Sequence, residues 1–394
     1  MRVLLWSKYI VVALAALIAF SAARPASAQL GQVETQARQM ILVDFDTDTV
    51  IFEKNADELM PPSSMSKLMT AFMVFEQLEA GKLRLDDMLP VSEKAWRIQG
   101  SKMFVPLGGR VKVEDLLRGV IIQSGNDACV VLAEGIAGTE ERFAEMMTDR
   151  AHQLGLKNST FRNASGWPDP QHLTTARDLA MLAKLIISRF PQHYHFYSEK
   201  EFTYGVDQVS KKPITQGNRN PLLYKDIGAD GLKTGHTDAA GYGLTASVKR
   251  GDRRLIMVFN GLKSMNERSR EAERLIELGF SQFDNYKLFT AGSVVDEADV
   301  WLGEAARIPL VIDRNLALTL PRQTKGNIKV AVTYENPIPA PIAKGTPVAK
   351  LTVTNRDAVV AEVPLLAGAD VKQLGFTGRL NAAVSYLLWG AKKQ

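Results

Sequence analysis

Ser64 and Lys67, in the stretch Ser64-Met65-Ser66-Lys67, are the first side chains along the chain whose spacing suits nucleophilic catalysis. Residues three apart on a helix share one face, so the Lys67 amine could take the proton of the Ser64 hydroxyl as that oxygen attacks. A serine followed three residues later by a lysine is also common on solvated helix surfaces, where it has no chemical role. The pair indicates catalysis only in combination with the motifs that follow it.

Two further motifs follow in sequence. Ser124-Gly125-Asn126 falls between two helical patterns, and Lys233-Thr234-Gly235 falls on a predicted strand. Alone, the first is an ordinary turn and the second an ordinary strand end, and a second Ser-x-Asn occurs at Ser264-Met265-Asn266. In this order and in these contexts, the three motifs are those of serine β-lactamases and penicillin-binding proteins. Their combination predicts a serine acyl-transfer site.

The first motif is expected at the start of a helix that follows a β-hairpin. Apolar or β-branched runs at residues 40–43 and 49–52 flank an Asp- and Thr-rich segment typical of a turn. After Ser64 the apolar residues recur at helical spacing until Gly81, which ends the pattern. The hairpin and the helix together therefore open the predicted catalytic domain.

The remaining motifs are expected between helices and on a sheet. Helical patterns cover residues 113–190, broken at the Ser-x-Asn motif and by the polar segment 158–175. Strand patterns return at residues 231–234, 243–248 and 255–259. A helix is predicted at 267–278. We expect an α+β fold of the penicillin-binding and serine β-lactamase type over residues 29–283, with an antiparallel sheet, covering helices and a helical subdomain.

The C-terminal part has a different pattern. Short alternating runs with Pro and Gly punctuation predict a small all-β domain over residues 284–376. In the final segment, residues 377–394, the apolar residues on one helical face are Leu380, Ala383, Val384, Leu387 and Leu388. The segment is too short to span a bilayer, so we interpret it as an amphipathic helix that anchors the protein to a membrane surface. A helix docked on its own domain is the alternative.

The N-terminus has the pattern of a secretory signal peptide. Arg2 and Lys8 flank the start of an apolar stretch, and small residues at 26–28 form a cleavage site, so residues 1–28 are expected to be removed. Removal lowers the net charge from +5 to +2. No basic run that could follow a nucleic-acid backbone occurs, which argues against a nucleic-acid partner.

A single cysteine, Cys129, cannot form an internal disulfide and lies in an apolar run, so a buried thiol is expected.

The whole pattern resembles the low-molecular-mass penicillin-binding proteins, the D-alanyl-D-alanine carboxypeptidases. The resemblance covers nearly the whole exported chain and is strongest at residues 123–128 and 231–237. It implies that Ser64 is the acylated nucleophile, Lys67 the general base, Ser124 a proton relay to the leaving D-alanine, and Asn126 a hydrogen-bond partner of the substrate amide. A lysine base must be neutral, and both burial and the second cation Lys233 are expected to lower its pKa.

The resemblance also implies a site for the substrate's terminal carboxylate. Lys233 and Thr234, in the same strand segment as Gly235, would hold it together with an arginine from the helix predicted at 267–278, because a forked guanidinium suits a planar anion. Arg268 matches the family's spacing best, and Arg270 is the rival. The backbone amides of Ser64 and His236 would form the oxyanion hole.

The implied partners are the peptidoglycan stem peptide, β-lactam inhibitors and the surface of the inner membrane, with the enzyme in the periplasm. No cofactor is expected, and the histidines, among them His193 and His195, provide no complete metal-ligand set.

Three other functions remain open at this stage. A serine β-lactamase would need a residue that activates the deacylating water, yet no Glu lies between Glu145 and Glu199, and Asp169 is the only acid in the segment 158–175. A general esterase with the Ser-x-x-Lys motif would not need a carboxylate site. A non-catalytic, membrane-associated binding protein would not need the motifs at all.

Overall fold

The computed structural model describes residues 33–207, 209–356 and 358–389, and the predicted signal peptide lies outside them. The centre of the first domain is a five-stranded antiparallel sheet with the strand order β2-β1-β9-β8-β7. Two short antiparallel strand pairs, β3 with β4 and β5 with β6, lie outside this sheet. The strands are β1 (Gln39–Asp44), β2 (Val50–Lys54), β3 (Met88–Pro90), β4 (Arg110–Lys112), β5 (Glu201–Val206), β6 (Pro213–Gly217), β7 (Ala229–Thr237), β8 (Gly241–Arg250) and β9 (Arg253–Leu262).

Helices cover both faces of the sheet. They are α1 (Lys67–Glu79), α2 (Glu93–Arg97), α3 (Val113–Ile121), α4 (Asn126–Ala137), α5 (Glu140–Gln153), α6 (Ala176–Arg189) and α7 (Met265–Gln282). Short 3₁₀ turns occur at Ser63–Ser66, Tyr194–Tyr197 and Pro221–Tyr224. Helix α6 packs on one face of the sheet and α7 on the other. The first part of the chain is therefore a layered α+β domain, as the sequence predicts.

The alternation of side chains along β9 shows how the sheet separates two cores. Ile256 and Val258 belong to the larger core, which includes residues of α6, whereas Met257 and Phe259 belong to the core beneath α7. Successive side chains of a strand point to opposite faces, so a strand covered on both faces is apolar throughout. Helix α1 is buried from Lys67 to Phe75, as expected for a helix surrounded by other elements.

The second domain is all β and has its own core. Its six-stranded sheet has the order β14-β16-β17-β12-β11-β15, and β10 pairs separately with β13. The strands are β10 (Phe283–Phe289), β11 (Val294–Trp301), β12 (Arg307–Val311), β13 (Leu316–Pro321), β14 (Ile328–Thr333), β15 (Ile338–Pro339), β16 (Pro347–Asn355) and β17 (Ala358–Ala367), with a 3₁₀ turn at Arg322–Asn327. Helix α8 (Phe376–Trp389) follows.

A buried carboxylate joins the two domains. Asp44, at the end of β1, is fully buried and forms an ion pair of 2.9 Å with Arg253. The same carboxylate accepts a hydrogen bond of 2.9 Å from the side chain of Asn285 on β10, and Thr47 contacts Thr319 on β13 through their hydroxyl groups. These contacts join the first hairpin directly to the β-rich domain. Because the groups are largely withdrawn from water, breaking the contacts would leave buried polar groups without partners.

The predicted helix at 267–278 is longer in the structure. Ser264 is the N-cap of α7, and its hydroxyl accepts a hydrogen bond of 3.1 Å from the amide of Glu267. The second Ser-x-Asn sequence is thus the start of a helix and not a catalytic motif. Among the residues that the structure describes, no helix is both long and apolar enough to cross a membrane.

Candidate active site

Ser64 lies in the 3₁₀ turn that leads into α1, where it is partly buried and lines a cleft. Two glycines allow this turn to pack closely. A Cβ on Gly235 would lie 2.8 Å from the carbonyl oxygen of Pro62, and a Cβ on Gly166, whose φ is +78°, would lie 1.8 Å from the carbonyl oxygen of Ser63. Strand β7 and the segment 158–175 therefore close on the nucleophile from two sides only because these positions lack side chains.

The Lys67 amine is buried and makes three close contacts. Its Nζ lies 3.0 Å from Ser64 Oγ, 2.8 Å from Asn126 Oδ1 and 2.6 Å from the carbonyl oxygen of Ser165. The Asn126 amide is oriented by its own Nδ2, which donates to the carbonyl of Gln99 at 2.7 Å. Two of the three partners can therefore only accept hydrogen bonds. If Lys67 is neutral, its lone pair can receive a proton only from Ser64.

Burial, with a smaller contribution from Arg219, lowers the pKa of Lys67 to about 8, although Cys129 and Asp127 act in the opposite direction. Lys67 and Lys233 also repel each other as two buried cations, so each favours the neutral form of the other, as the sequence predicts. Burial lowers the pKa of Lys233 well below its usual value, and Lys67, Arg219 and Arg268 add to the effect. The positive charges of two lysines and two arginines therefore act on one site. Their mutual repulsion favours the neutral form of the lysines, and a bound anion would relieve it.

Ser124 joins the second and third motifs. It lies between α3 and α4 with a φ of +61°, is almost fully buried, and accepts a hydrogen bond of 3.0 Å from Lys233 Nζ. Lys233 also donates to the carbonyl of Thr234 at 3.1 Å. A residue with a side chain rarely adopts a positive φ unless its surroundings require it, and such strain is frequent at functional sites.

The structure distinguishes the two candidate arginines. Arg268 is only 5% exposed, whereas Arg270 is on the surface. Arg268 lies over the ring of Tyr242 and donates to the carbonyl of Arg219, but its Nε is buried without a partner. Burial lowers its pKa to about 10. Among the residues that the structure describes, Arg268 forms no ion pair, which suits a guanidinium reserved for a ligand.

A cleft of ≈ 460 Å³ opens in front of Ser64. Asn126, Trp167, His236 and Asp238 are among its lining residues. His236 is exposed at this rim, and its ring lies 3.9 Å from that of Tyr242. Thr234 and Gly235 are buried on the neighbouring length of β7, which is the edge strand of the sheet.

Sequence reasoning missed two residues that shape this cleft. The Asp127 carboxylate is buried and accepts hydrogen bonds from the amides of Met103, Phe104 and Val105, which fixes one wall. Arg219 donates to Ser101 on the same wall at 2.8 Å. The only signal in the sequence was that Asp127 directly follows Asn126 at a helix start. Cys129, in contrast, is buried as predicted, and burial raises its pKa to about 12.

Comparison with known sequences gives consistent matches over both domains. Residues 23–264 match the family described as D-alanyl-D-alanine carboxypeptidase, and residues 283–373 match the C-terminal domain of penicillin-binding protein 5. The chain is 38% identical over 352 residues to D-alanyl-D-alanine carboxypeptidase DacC of Escherichia coli, an alignment that covers 87% of this chain and 86% of that protein. It is 33% identical over 347 residues to DacF of Bacillus subtilis, covering 86% of this chain and 87% of the relative.

Solved structures are similar over the same regions. Penicillin-binding protein 5 from Haemophilus influenzae superposes with a TM-score of 0.79 at 36% identity, covering 87% of this chain and all of that one (100%). Penicillin-binding protein D2 from Listeria monocytogenes, solved in an ampicillin-bound form, superposes with a TM-score of 0.57 at 30% identity over 63% of this chain and 99% of its own.

Proposed function

Because the chain belongs to the D-alanyl-D-alanine carboxypeptidase family, we propose that its Ser64 and Lys67 are the nucleophile and the general base of that reaction. The protein is a serine-type D-Ala-D-Ala carboxypeptidase that acts on peptidoglycan and binds β-lactams. The roles of the individual residues, the acyl-enzyme and the preference for stem pentapeptides are proposals. The observation that supports them most directly is the set of contacts of Lys67, in which Ser64 is the only possible proton donor.

In the proposed first step, Ser64 Oγ attacks the carbonyl carbon of the penultimate D-alanine. Its proton passes to Lys67 Nζ, 3.0 Å away. The carbonyl oxygen becomes an oxyanion that the backbone amides of Ser64 and His236 stabilise. The C–N bond to the terminal D-alanine then breaks, which leaves the rest of the peptide esterified to Ser64.

The departing amine must gain a proton, and Ser124 is placed to supply it. Ser124 Oγ accepts a hydrogen bond from Lys233, so its own O–H is available to donate to the leaving nitrogen. In this relay Ser124 is reprotonated by the Lys67 ammonium, so the proton lost by Ser64 ends on the departing amine and Lys67 is neutral again. Asn126 would bind the amide of the remaining peptide. Lys233, Thr234 and Arg268 would hold the terminal carboxylate, with Gly235 allowing close approach of β7 to the nucleophile. Water then hydrolyses the ester and frees the enzyme.

A persistent adduct with penicillin distinguishes this enzyme from a β-lactamase. The segment 158–175 presents no Glu, and its one acid, Asp169, is bound to the amide of Gln171 at 2.7 Å and is not among the lining residues of the cleft. The group that this segment places next to Lys67 is the Ser165 carbonyl and not a carboxylate. We therefore expect slow hydrolysis of the penicilloyl-enzyme.

The test is to follow the intact mass of the purified protein after addition of penicillin, and to map the adduct by tandem mass spectrometry on the tryptic peptide 55–67. We expect one stable adduct on Ser64, together with release of D-alanine from a peptide that ends in D-Ala-D-Ala. Mapping to Ser63 or Ser66 would overturn the assignment. Rapid penicillin hydrolysis without an adduct would favour a β-lactamase, and ester cleavage without D-alanine release would favour an esterase.

The substrate lies in the cell wall, so the enzyme acts outside the cytoplasm. We propose a finer location, the periplasmic surface of the inner membrane, to which α8 would attach. Phe376 is 76% exposed, and Leu380 and Val384 are also exposed on this helix.

Removal of residues 376–394 is expected to abolish co-sedimentation with anionic phospholipid vesicles and to leave penicillin acylation unchanged. The matched variant, Phe376→Ser combined with Leu380→Ser, should weaken co-sedimentation while keeping the helix. If the truncated chain still sediments with vesicles, α8 is not the anchor and is better explained as a terminal helix of its own domain.

A further inference from the structure

A buried chain of hydrogen bonds lies directly behind the nucleophile. His172 Nε2 is 2.9 Å from Ser66 Oγ, and Ser66 Oγ donates to the carbonyl oxygen of Ser63 at 2.8 Å. Ser66 is fully buried and His172 is 2% exposed. The catalytic scheme above uses neither side chain, although Ser66 lies within the Ser-x-x-Lys motif.

The directions of these hydrogen bonds follow from the groups involved. The Ser63 carbonyl can only accept, so the single Ser66 hydroxyl proton points towards it. Ser66 Oγ must then accept from His172, which places a proton on Nε2. On the other side of the ring, Nδ1 accepts from the amide of Arg162 at 3.3 Å. The ring is therefore neutral with its proton on Nε2, and both nitrogens have partners.

The surroundings of His172 keep it neutral. Burial lowers its pKa to about 4, and the charged groups that act on it are Asp169, Lys67 and Arg162. The ring packs edge-on against Phe161, with the ring centroids 5.4 Å apart. A proton on Nδ1 would face the Arg162 amide, so the chain of hydrogen bonds requires the neutral ring.

The end of this chain fixes the peptide that carries the nucleophile. The carbonyl of Ser63 and the amide N–H of Ser64 belong to the same rigid peptide plane. Ser63 has a φ of +50°, an unfavourable value for a residue with a side chain, so this plane needs support from its surroundings. A hydrogen bond to the Ser63 carbonyl therefore also sets the direction of the Ser64 N–H.

We propose that His172 is a positioning residue for the oxyanion hole, acting through Ser66 and the Ser63 carbonyl on the Ser64 amide. This inference rests on the proposed function, in which that amide stabilises the oxyanion. It differs from the direct chemistry of Lys67, whose contacts do not include His172 or Ser66.

Two variants of similar size separate the two sides of the ring. His172→Gln can place an N–H near the position of Nε2 and keep the link to Ser66. His172→Asn can keep an acceptor for the Arg162 amide but loses the link to Ser66. Ser66→Ala removes the link from the other end. The measurement is the rate constant of acylation by a fluorescent penicillin, obtained separately from its non-covalent binding constant by stopped flow over a range of pH.

Loss of one oxyanion-hole donor lowers rates by roughly 10²–10³-fold, so a misdirected donor should lower acylation by about tenfold or more in His172→Asn and Ser66→Ala. His172→Gln should stay within about threefold of wild type. The double variant His172→Asn with Ser66→Ala should be no slower than Ser66→Ala alone, because both changes break the same chain. The pH midpoint and the non-covalent binding constant should remain those of wild type.

Different failures have different meanings. If the wild-type protein forms no adduct, the proposed function itself fails. The inference is overturned if the wild type reacts and His172→Asn reacts equally fast. It is also overturned if His172→Gln is acylated more slowly than His172→Asn. Multiplicative losses in the double variant would also overturn it, as would a shifted pH midpoint, which would point to an effect on Lys67.

Discussion

Replacing Lys67 by alanine is expected to lower the rate constant of acylation by penicillin by roughly 10³–10⁴-fold, the upper part of the range for loss of a general base. In the variant, Ser64 has no neighbouring group that can accept its proton through a lone pair of comparable basicity. Asn126 Oδ1 and the Ser165 carbonyl remain, but amide oxygens are too weakly basic to take the proton of a serine hydroxyl. Intact mass against time after mixing with penicillin measures the loss.

The pH dependence of the wild type follows from the same residue. Only the neutral amine can act as the base, and burial lowers its pKa to about 8. The acylation rate should therefore rise by about tenfold per pH unit below pH 8 and level off above it. A lysine with its ordinary pKa of 10.5 would instead give a rate that still rises steeply at pH 9. A carboxylate or histidine base would give a midpoint in the acid range.

Lys82→Ala, an exposed lysine just after α1, is the matched control and should acylate like the wild type. The assignment of Lys67 fails if Lys67→Ala keeps a rate within about tenfold of wild type. It also fails if the pH midpoint near 8 persists in the variant, because that midpoint would then belong to another group.

The motifs and the elements that carry them could be predicted because their signals are local. The hairpin at β1 and β2 is visible as two apolar runs around a turn, and the strands β7, β8 and β9 are visible as apolar runs between turn residues. Boundaries were less accurate. Helix α7 starts earlier than its apolar period because the Ser264 cap, and not the first buried residue, determines where it begins.

The residues that escaped prediction act over long sequence separations. His172 and Ser66 are 106 positions apart, and Asp127 reaches the amide of Met103, 24 positions away. A single sequence gives no indication that these groups meet, and a lone histidine is usually an ordinary polar residue. Arg219 also lowers the pKa of Lys67, and nothing in the sequence places this arginine near the site.

Replacing Arg268 by alanine is expected to lower kcat/KM for a peptide that ends in D-Ala-D-Ala by about 10–100-fold, because charge-assisted hydrogen bonds contribute roughly 1.5–3 kcal/mol each. Arg268 is buried with an unpartnered Nε and its charge acts on Lys233, so a substrate carboxylate bound there would satisfy a group that the protein leaves open. Peptide hydrolysis, measured as D-alanine release, gives the comparison. Arg270→Ala is the matched control and should stay within about twofold of wild type, since Arg270 is exposed.

A second substrate separates carboxylate binding from support of the fold. An ester substrate of the same acyl group, with a leaving group that lacks a carboxylate, should acylate wild type and Arg268→Ala at similar rates. If Arg268→Ala is slowed equally with both substrates, Arg268 supports the local structure through Tyr242 and Arg219 and does not bind the terminal carboxylate. If Arg270→Ala shows the selective loss instead, the exposed arginine is the carboxylate ligand. Selective loss in Arg268→Ala alone would explain why this enzyme is a carboxypeptidase, because a guanidinium that pairs with the terminal carboxylate favours the last residue of a chain.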